Sequence, residues 1–329
     1  MNPVERRPHL DWIRHIAALG VFLGHARDLG TPDPTRWAHF VSDQAVNIFF
    51  VISGSLILSS AVRLPSLDYA VHRVMRIFPA LAVVLGVTAF ALSPATAAVT
   101  HGSWSLREAV AYVVKNALLV PGWKTEIAGS LRGTGSATSW NSPLWTLFFE
   151  VSCYVGILLV AKVMRRHIDL SLVVAILTMS VVYSLTHGAG PSFIHTSSRL
   201  GLAFVTGGCV GRIVSRRGWV VLALCVSLPL AWGEFFPLIV AVIAVSALVI
   251  PVKAGVNMPR LPFDVSYGMY IWHWPLLRFV SSLSPAHGAG PVWGRQTVIS
   301  GVLLVLVSSV SWRYVEKPCL QIARVFSRR

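Results

Sequence analysis

Long, largely apolar stretches broken by short basic or glycine-rich segments run the length of the chain. A membrane-crossing helix needs roughly 20 such residues. The pattern predicts spans near 10–29, 43–62, 77–99, 143–163, 169–187, 197–214, 218–233, 235–250, 264–283 and 295–315. The stretch 106–120 is shorter and carries Arg107, Glu108, Lys115 and Asn116. Basic clusters arbitrate its fate. Arg6/Arg7, Arg63/Arg73/Arg76, Lys162/Arg165/Arg166, Arg212/Arg216/Arg217, Lys253/Arg260 and Lys317/Arg324/Arg328/Arg329 all fall on one side only if 106–120 does not cross. The reading is an all-α polytopic membrane protein of about ten transmembrane helices, with 106–120 as a re-entrant or interfacial helix. Both termini are then cytoplasmic, and residues 1–329 form a single transmembrane domain. The Gly-, Ser- and Thr-rich segment 121–142 is the longest external loop.

Composition agrees with this pattern. Hydrophobic residues make up 54% of the chain and charged residues only 12%, about half the charge of a soluble domain. That excludes a soluble enzyme, a disordered chain and a disulfide scaffold. The 28 Lys+Arg against 13 Asp+Glu give a formal charge of +15, which loop cations that hold topology explain. No basic stripe or recognition motif points to nucleic acid. Cys153, Cys209, Cys225 and Cys319 are scattered without metal-ligand spacing and read as small core residues, so no metal is expected. The first apolar run contains Asp11, Arg14 and His15 and lacks a small-residue cleavage site, unlike a signal peptide.

Ionisable groups inside a span are costly unless paired or lining a cavity, so each is a candidate for function. Among the acids, Glu150 alone lies well within a predicted span, at a depth of roughly 10 Å from its outer end; it is either a functional carboxylate or a structural partner of a buried cation. His25 lies on the first span and His273 on the ninth, within Tyr-Ile-Trp-His-Trp-Pro. Arg14 precedes His25 by eleven residues, about 1100° of helical rotation, so both share one face about 16 Å apart along the axis. Arg73 and Arg76, three apart, share a helix face suited to clamping phosphate, or simply anchor the cytoplasmic end of the third span. Ser53, in FFVISGSLI, is either a nucleophile or part of a small-residue packing patch.

The segments LDWIRHIAALGVFLGHA (10–26), FFVISGSLI (49–57), HRVMRIFPAL (72–81), SPLWTLFFEVSCYV (142–155), VSYGMYIWHWPLL (265–277) and SWRYVEKP (311–318) occur in the order of the landmarks of acyltransferase family 3. The chain resembles this family of bacterial integral-membrane O-acyltransferases over nearly its whole length, in the stand-alone form without an appended SGNH esterase-like domain. The resemblance places the family's Arg/Lys-x10-His of the first helix on Arg14 and His25, its R-x-x-R on Arg73 and Arg76, and its acidic residue after the Leu-Trp-Thr signature, which holds Trp145, on Glu150. The Trp-His-Trp-Pro stretch falls on Trp272 to Pro275. The chain departs from the family pattern in having Trp12 and His15 where small residues are usual, and Ser55 where an aromatic is common.

Together these readings give an acetyl-CoA or other acyl-CoA donor docking from the cytoplasm on Arg14, Arg73 and Arg76. A carbohydrate hydroxyl, such as that of a surface or exopolysaccharide sugar, enters from outside. His25 is the base and Glu150 its orienting partner, with an acyl-His25 intermediate as the alternative chemistry. Ser53, Trp145 and His273 are contacts to substrate or polar supports. The expected home is the bacterial inner membrane, and a homo-oligomer or an extracytoplasmic partner stays open. The rival class is a transporter or flippase of a lipid-linked sugar or acyl group. Against it stand the lack of an internal repeat and of paired broken helices.

Overall fold

A computed structural model describes residues 8–29, 36–119, 123–132, 139–187, 193–212, 236–250, 255, 258–283 and 294–327. Every regular element among these residues is helical. The helices are α1 (Pro8–Asp28), α2 (Arg36–Arg63), α3 (Ser66–Val87), α4 (Ser93–Thr100), α5 (Leu106–Ala117), α6 (Trp145–Val163), α7 (Ile168–Thr186), α8 (Phe193–Arg212), α9 (Phe236–Leu248), α10 (Ser266–Ser282), α11 (Arg295–Ser311) and α12 (Lys317–Phe326).

Two runs are longer than the apolar pattern suggests. A π-helical turn, Thr88–Leu92, carries α3 into α4 without a break, and another, Trp312–Glu316, carries α11 into α12. The results are runs of 35 residues, Ser66–Thr100, and of 32, Arg295–Phe326. Each exceeds the roughly 20 residues that cross a bilayer, because a polar segment continues an apolar one. The first run ends at His101, in the left-handed region with φ 52°. Among the described residues, five runs are long and apolar enough to cross a membrane: Trp37–Arg63, Ser66–Thr100, Ser142–Val163, Arg165–Thr186 and Arg295–Phe326. This is the make-up of a helical membrane protein. The predicted spans at 10–29, 197–214 and 264–283 correspond to α1, α8 and α10, which are helical but carry more polar side chains or fewer residues. Predicted span 218–233 lies outside the described residues, and 235–250 holds the short apolar α9. The ambiguous segment is α5, with 12 residues. It measures about 18 Å against a hydrocarbon core of about 30 Å and is too short to cross. It buries Ala109, Tyr112 and Asn116 on one face and exposes Leu106, Val110 and Val114 on another.

The chain separates into two compact units. One draws on Met1–Ala17, Val46–Tyr69 and Phe149–Leu261, the other on Ala18–Ala45, Ala70–Phe148 and Pro262–Arg329. In the first, α7 packs along α8 and α8 against α9. A Cβ on Gly54 would overlap the Phe204 carbonyl, and one on Gly207 would overlap the Val51 carbonyl. The two glycines thus let α2 and α8 touch backbone to backbone, as small residues do in membrane helix pairs. The Tyr69 hydroxyl donates to the Tyr154 carbonyl at 3.0 Å, and Lys162 Nζ to the Leu64 carbonyl at 2.6 Å. Cys209 is buried on α8, while Cys153 and Cys319 are half-buried.

In the second unit α10 is the central element, with 15 of its residues buried. It packs along α11, where a Cβ on Gly268 would meet Ser308 and the Glu316 carboxylate at 3.2 Å. It reaches α3 through the Tyr267 hydroxyl, which donates to the Ile77 carbonyl at 2.9 Å. Ser282 Oγ pairs with Thr96 Oγ1 at 3.3 Å and ties its far end to α4. The C-terminal part of α1 packs on the N-terminal part of α2 at Gly20 and Gly24, where a Cβ on Gly24 would overlap Ser42 Oγ and lie 2.9 Å from the Ala38 carbonyl.

Candidate functional site

The second unit brings together two of the predicted residues that lie far apart in sequence. His25 Nδ1, on α1, lies 2.8 Å from His273 Nε2, on α10. The two imidazole planes are nearly parallel, inclined by 11°, with centroids 5.0 Å apart. His273 Nδ1 lies 2.6 Å from the Tyr270 carbonyl oxygen one turn back on α10. A carbonyl can only accept, so this nitrogen carries the proton. In neutral His273, Nε2 is then the acceptor and His25 Nδ1 the donor. That chain of donors leaves His25 Nε2 with an unprotonated lone pair. His273 is fully buried, whereas His25 is half-buried.

The indole of Trp274 stands edge-on to His25, at 5.1 Å and 90°, and donates its Nε1–H to the Ser139 carbonyl at 2.8 Å. The ring that walls His25 is thereby itself fixed. Gly24, next to His25, admits α2 closely enough to hold this part of α1 in place. Pro275 brings no N–H to α10, so the helix lacks one backbone bond just beyond the aromatic turn.

Predicted site residue Trp145 opens α6 and is half-buried. The 3₁₀ turn before it, Ser142–Leu144, is tied to α10 through the Tyr270 hydroxyl. The Thr146 and Tyr270 hydroxyls lie within hydrogen-bond reach of each other and of the Pro143 carbonyl, at 3.0 and 3.2 Å from it; with one hydrogen apiece, one donates to the carbonyl and the other to its neighbour's oxygen. The same α10 segment therefore fixes both the imidazole pair and the Ser-Pro-Leu-Trp-Thr turn.

Of the R-x-x-R pair on α3, Arg76 Nη2 forms an ion pair with Asp264 Oδ2 at 2.9 Å. Its guanidinium lies 5.6 Å from the centre of the Tyr267 ring. Ser266 Oγ donates to the other Asp264 oxygen at 2.8 Å. Arg76 is thus held by a carboxylate and an aromatic face. Arg73 is half-buried one turn earlier on the same helix.

The remaining predicted residues belong to the first unit. Arg14, on α1, is half-buried; nearby, Trp12 Nε1 donates to the Pro259 carbonyl at 3.0 Å and His15 Nδ1 lies 2.7 Å from the Asp11 carbonyl. Glu150 accepts a hydrogen bond from the Tyr154 hydroxyl one turn along α6. Ser53 is half-buried beside Gly54, at the close crossing of α2 and α8.

A second acid, besides Glu150, is enclosed by the helices. Glu316 is 1% exposed, within the continuous helical run that joins α11 to α12, and accepts from Ser311 Oγ at 3.1 Å. The apolar pattern ends at 315 and gives Glu316 no signal, while the helix runs on through the π turn. Arg278, 1% exposed on α10, is a buried cation inside the predicted span 264–283. Asp264, Tyr270 and Trp274 carried no spacing signal. Only the aromatic density of 267–275 hinted at Tyr270 and Trp274.

Set against this geometry, comparison with known proteins is consistent along the whole chain. A family model described as an acyltransferase domain matches residues 7–314. The chain is similar to the protein named O-acetyl transferase from Shigella phage Sf6, at 26% identity over 327 residues, covering 93% of this chain and 94% of that protein. It is similar to Nodulation protein 10 of Rhizobium leguminosarum bv. viciae, at 26% identity over 350 residues, covering 96% of this chain and 94% of its relative. No solved structure matches. With the family's domain spanning nearly every described element, from α1 to the turn after α11, the chain belongs to acyltransferase family 3.

Proposed function

We propose that the protein is a membrane-bound O-acyltransferase that moves an acyl group, in the first place acetyl, from cytoplasmic acyl-CoA to a hydroxyl of a carbohydrate presented on the outer side. In this reading it lies in the bacterial inner membrane with ten crossings and both termini in the cytoplasm. The observation that carries the chemistry is the hydrogen bond from His25 Nδ1–H to His273 Nε2, which fixes one tautomer and leaves His25 Nε2 as a base. The name of the phage relative supports acetyl and an oxygen acceptor.

His25 Nε2 removes the acceptor hydroxyl proton as that oxygen attacks the thioester carbonyl carbon. The tetrahedral intermediate collapses, the C–S bond breaks, and the CoA thiolate takes back the proton from His25 Nε2. No covalent enzyme intermediate is needed. While His25 is an imidazolium, its Nδ1–H stays bonded to the His273 lone pair, the place that a carboxylate fills in a Ser-His-Asp triad. The orienting role expected of Glu150 is thus given to His273, and Glu150, paired with Tyr154, is proposed as a second proton-handling group. Arg14, Arg73 and Arg76 hold donor phosphates, Arg76 being preset by Asp264. Trp145 lines the acceptor side, and Ser53 is assigned to packing beside Gly54.

The test is vectorial. Protein in sealed liposomes is given labelled acetyl-CoA on one side and a polysaccharide on the other. Label on the saccharide together with free CoA on the donor side supports the reading. Passage of label without thioester cleavage overturns it in favour of a transporter.

A further inference from the structure

A cleft of about 350 Å³ opens in the second unit, between the segment leading into α10 and the π turn that joins α11 to α12. Its walls carry Phe263, Trp312, Arg313, Lys317 and Gln321. The volume is at the lower end for small-molecule sites, enough for a nucleotide but not for a whole acyl-CoA. Arg313, Lys317, Gln321 and Phe263 are exposed, so a ligand can reach them, while Trp312 is buried and forms the floor. The π turn Trp312–Glu316 shapes this wall, and such turns recur where a helix is bent to a functional use.

The chemistry of the walls is selective. Two cations and no carboxylate favour phosphate oxygens. The flat faces of Phe263 and Trp312 suit a heteroaromatic ring. The Gln321 amide can donate to and accept from the edge of a base. A phospholipid headgroup offers the phosphate but nothing for the aromatic wall. Position points the same way: Phe263 directly precedes Asp264, whose carboxylate holds Arg76 at 2.9 Å, so the cleft adjoins the R-x-x-R helix through one residue.

We infer that this cleft binds the phosphorylated adenosine end of the acyl donor, with Arg313 and Lys317 on its phosphate and the adenine against Phe263 and Trp312. The inference rests on the acyl-CoA reading above and adds the place where the nucleotide end is recognised. Arg73 and Arg76 are then left for the diphosphate.

The experiment uses the full chain in nanodiscs of neutral phosphatidylcholine. Calorimetric titration with CoA, and with phosphopantetheine, which lacks the adenosine end, compares wild type with the double variant Arg313→Gln/Lys317→Gln and with Phe263→Ala. The wild type should bind CoA at least about tenfold more tightly than phosphopantetheine. Both variants should bind CoA more weakly, the double variant by about tenfold or more, and lose the preference. Variants that keep the wild-type affinity and preference overturn the inference. Wild type that binds no CoA overturns the donor reading itself, a result distinct from the first. A third arm adds anionic phosphatidylglycerol. If the double variant loses retention of that lipid while CoA affinity stays unchanged, the cleft is a headgroup site and the inference fails.

Discussion

Replacing His273 tests whether its role is to set the state of His25. In His273→Phe the aromatic volume stays, but the acceptor for His25 Nδ1–H, 2.8 Å away, is gone. The proton is then free to sit on either nitrogen, and the tautomer with Nε2 protonated is not a base. A hydrogen bond to a charged group is worth about 1.5–3 kcal/mol, and the imidazolium formed during transfer loses one. At about 1.4 kcal/mol per tenfold in rate, kcat should fall roughly 10- to 150-fold. KM for the donor should change little, because His273 is fully buried and touches His25, Tyr270 and the helix around it, not the donor. His273→Gln, whose amide oxygen can approach the position of Nε2, should recover much of the rate. The assay is continuous release of CoA thiol by detergent-purified protein with saturating acceptor, with thermal unfolding checked in the same buffer. If folded His273→Phe turned over at the wild-type kcat, or if the Gln variant were no better than Phe, the tautomer argument would be wrong.

Other perturbations probe the supports. Arg76→Ala should raise donor KM well above that of the wild type, whereas Asp264→Asn, which leaves the guanidinium but frees it, should raise KM only a few-fold; steady-state kinetics separate the two. Gly24→Val and Gly54→Ala force a side chain into backbone contacts and should each destabilise by about 1–3 kcal/mol or more, read as a lower unfolding temperature in detergent. The exposed Glu108 carboxylate is held below its ordinary range chiefly by its hydrogen bond to Lys124. Its support for the join between α5 and residue 124 is therefore present above the ordinary glutamate pKa and lost as pH falls through the lowered folded value. The protection factors of residues 106–117, exchange rates corrected for the intrinsic pH dependence of amide exchange, should fall in acid, and Lys124→Met should remove that fall.

Among the candidate residues, only local spacings can be read from the sequence. The R-x-x-R pair and the Arg14/His25 spacing follow from helical period, and the apolar run lengths locate most helices. What could not be read is pairing across distance. His25 and His273 are separated by 248 positions, and no periodicity sets one beside the other. The ends of the long helices were missed for a different reason. Hydropathy marks where the membrane-facing stretch stops, but the hydrogen-bonded helix runs on when a polar, amphipathic segment follows. Residues 66–76 and 317–326 show this, and it is why Glu316 was counted outside a span. The Ser-Gly-Ser patch was ambiguous because a small polar side chain serves both chemistry and close packing. Gly54 against the Phe204 carbonyl shows the packing side of that choice.

The central claim is that His25 is the base for transfer from a bound thioester. The most direct measurement follows donor binding and thioester cleavage in the same sample, for wild type and His25→Gln with acceptor present. Wild type should bind acetyl-CoA and release CoA; the variant should bind it with similar affinity and cleave it about 10²- to 10⁴-fold more slowly, the range of a lost general base. Cleavage by the variant at the wild-type rate would contradict the claim.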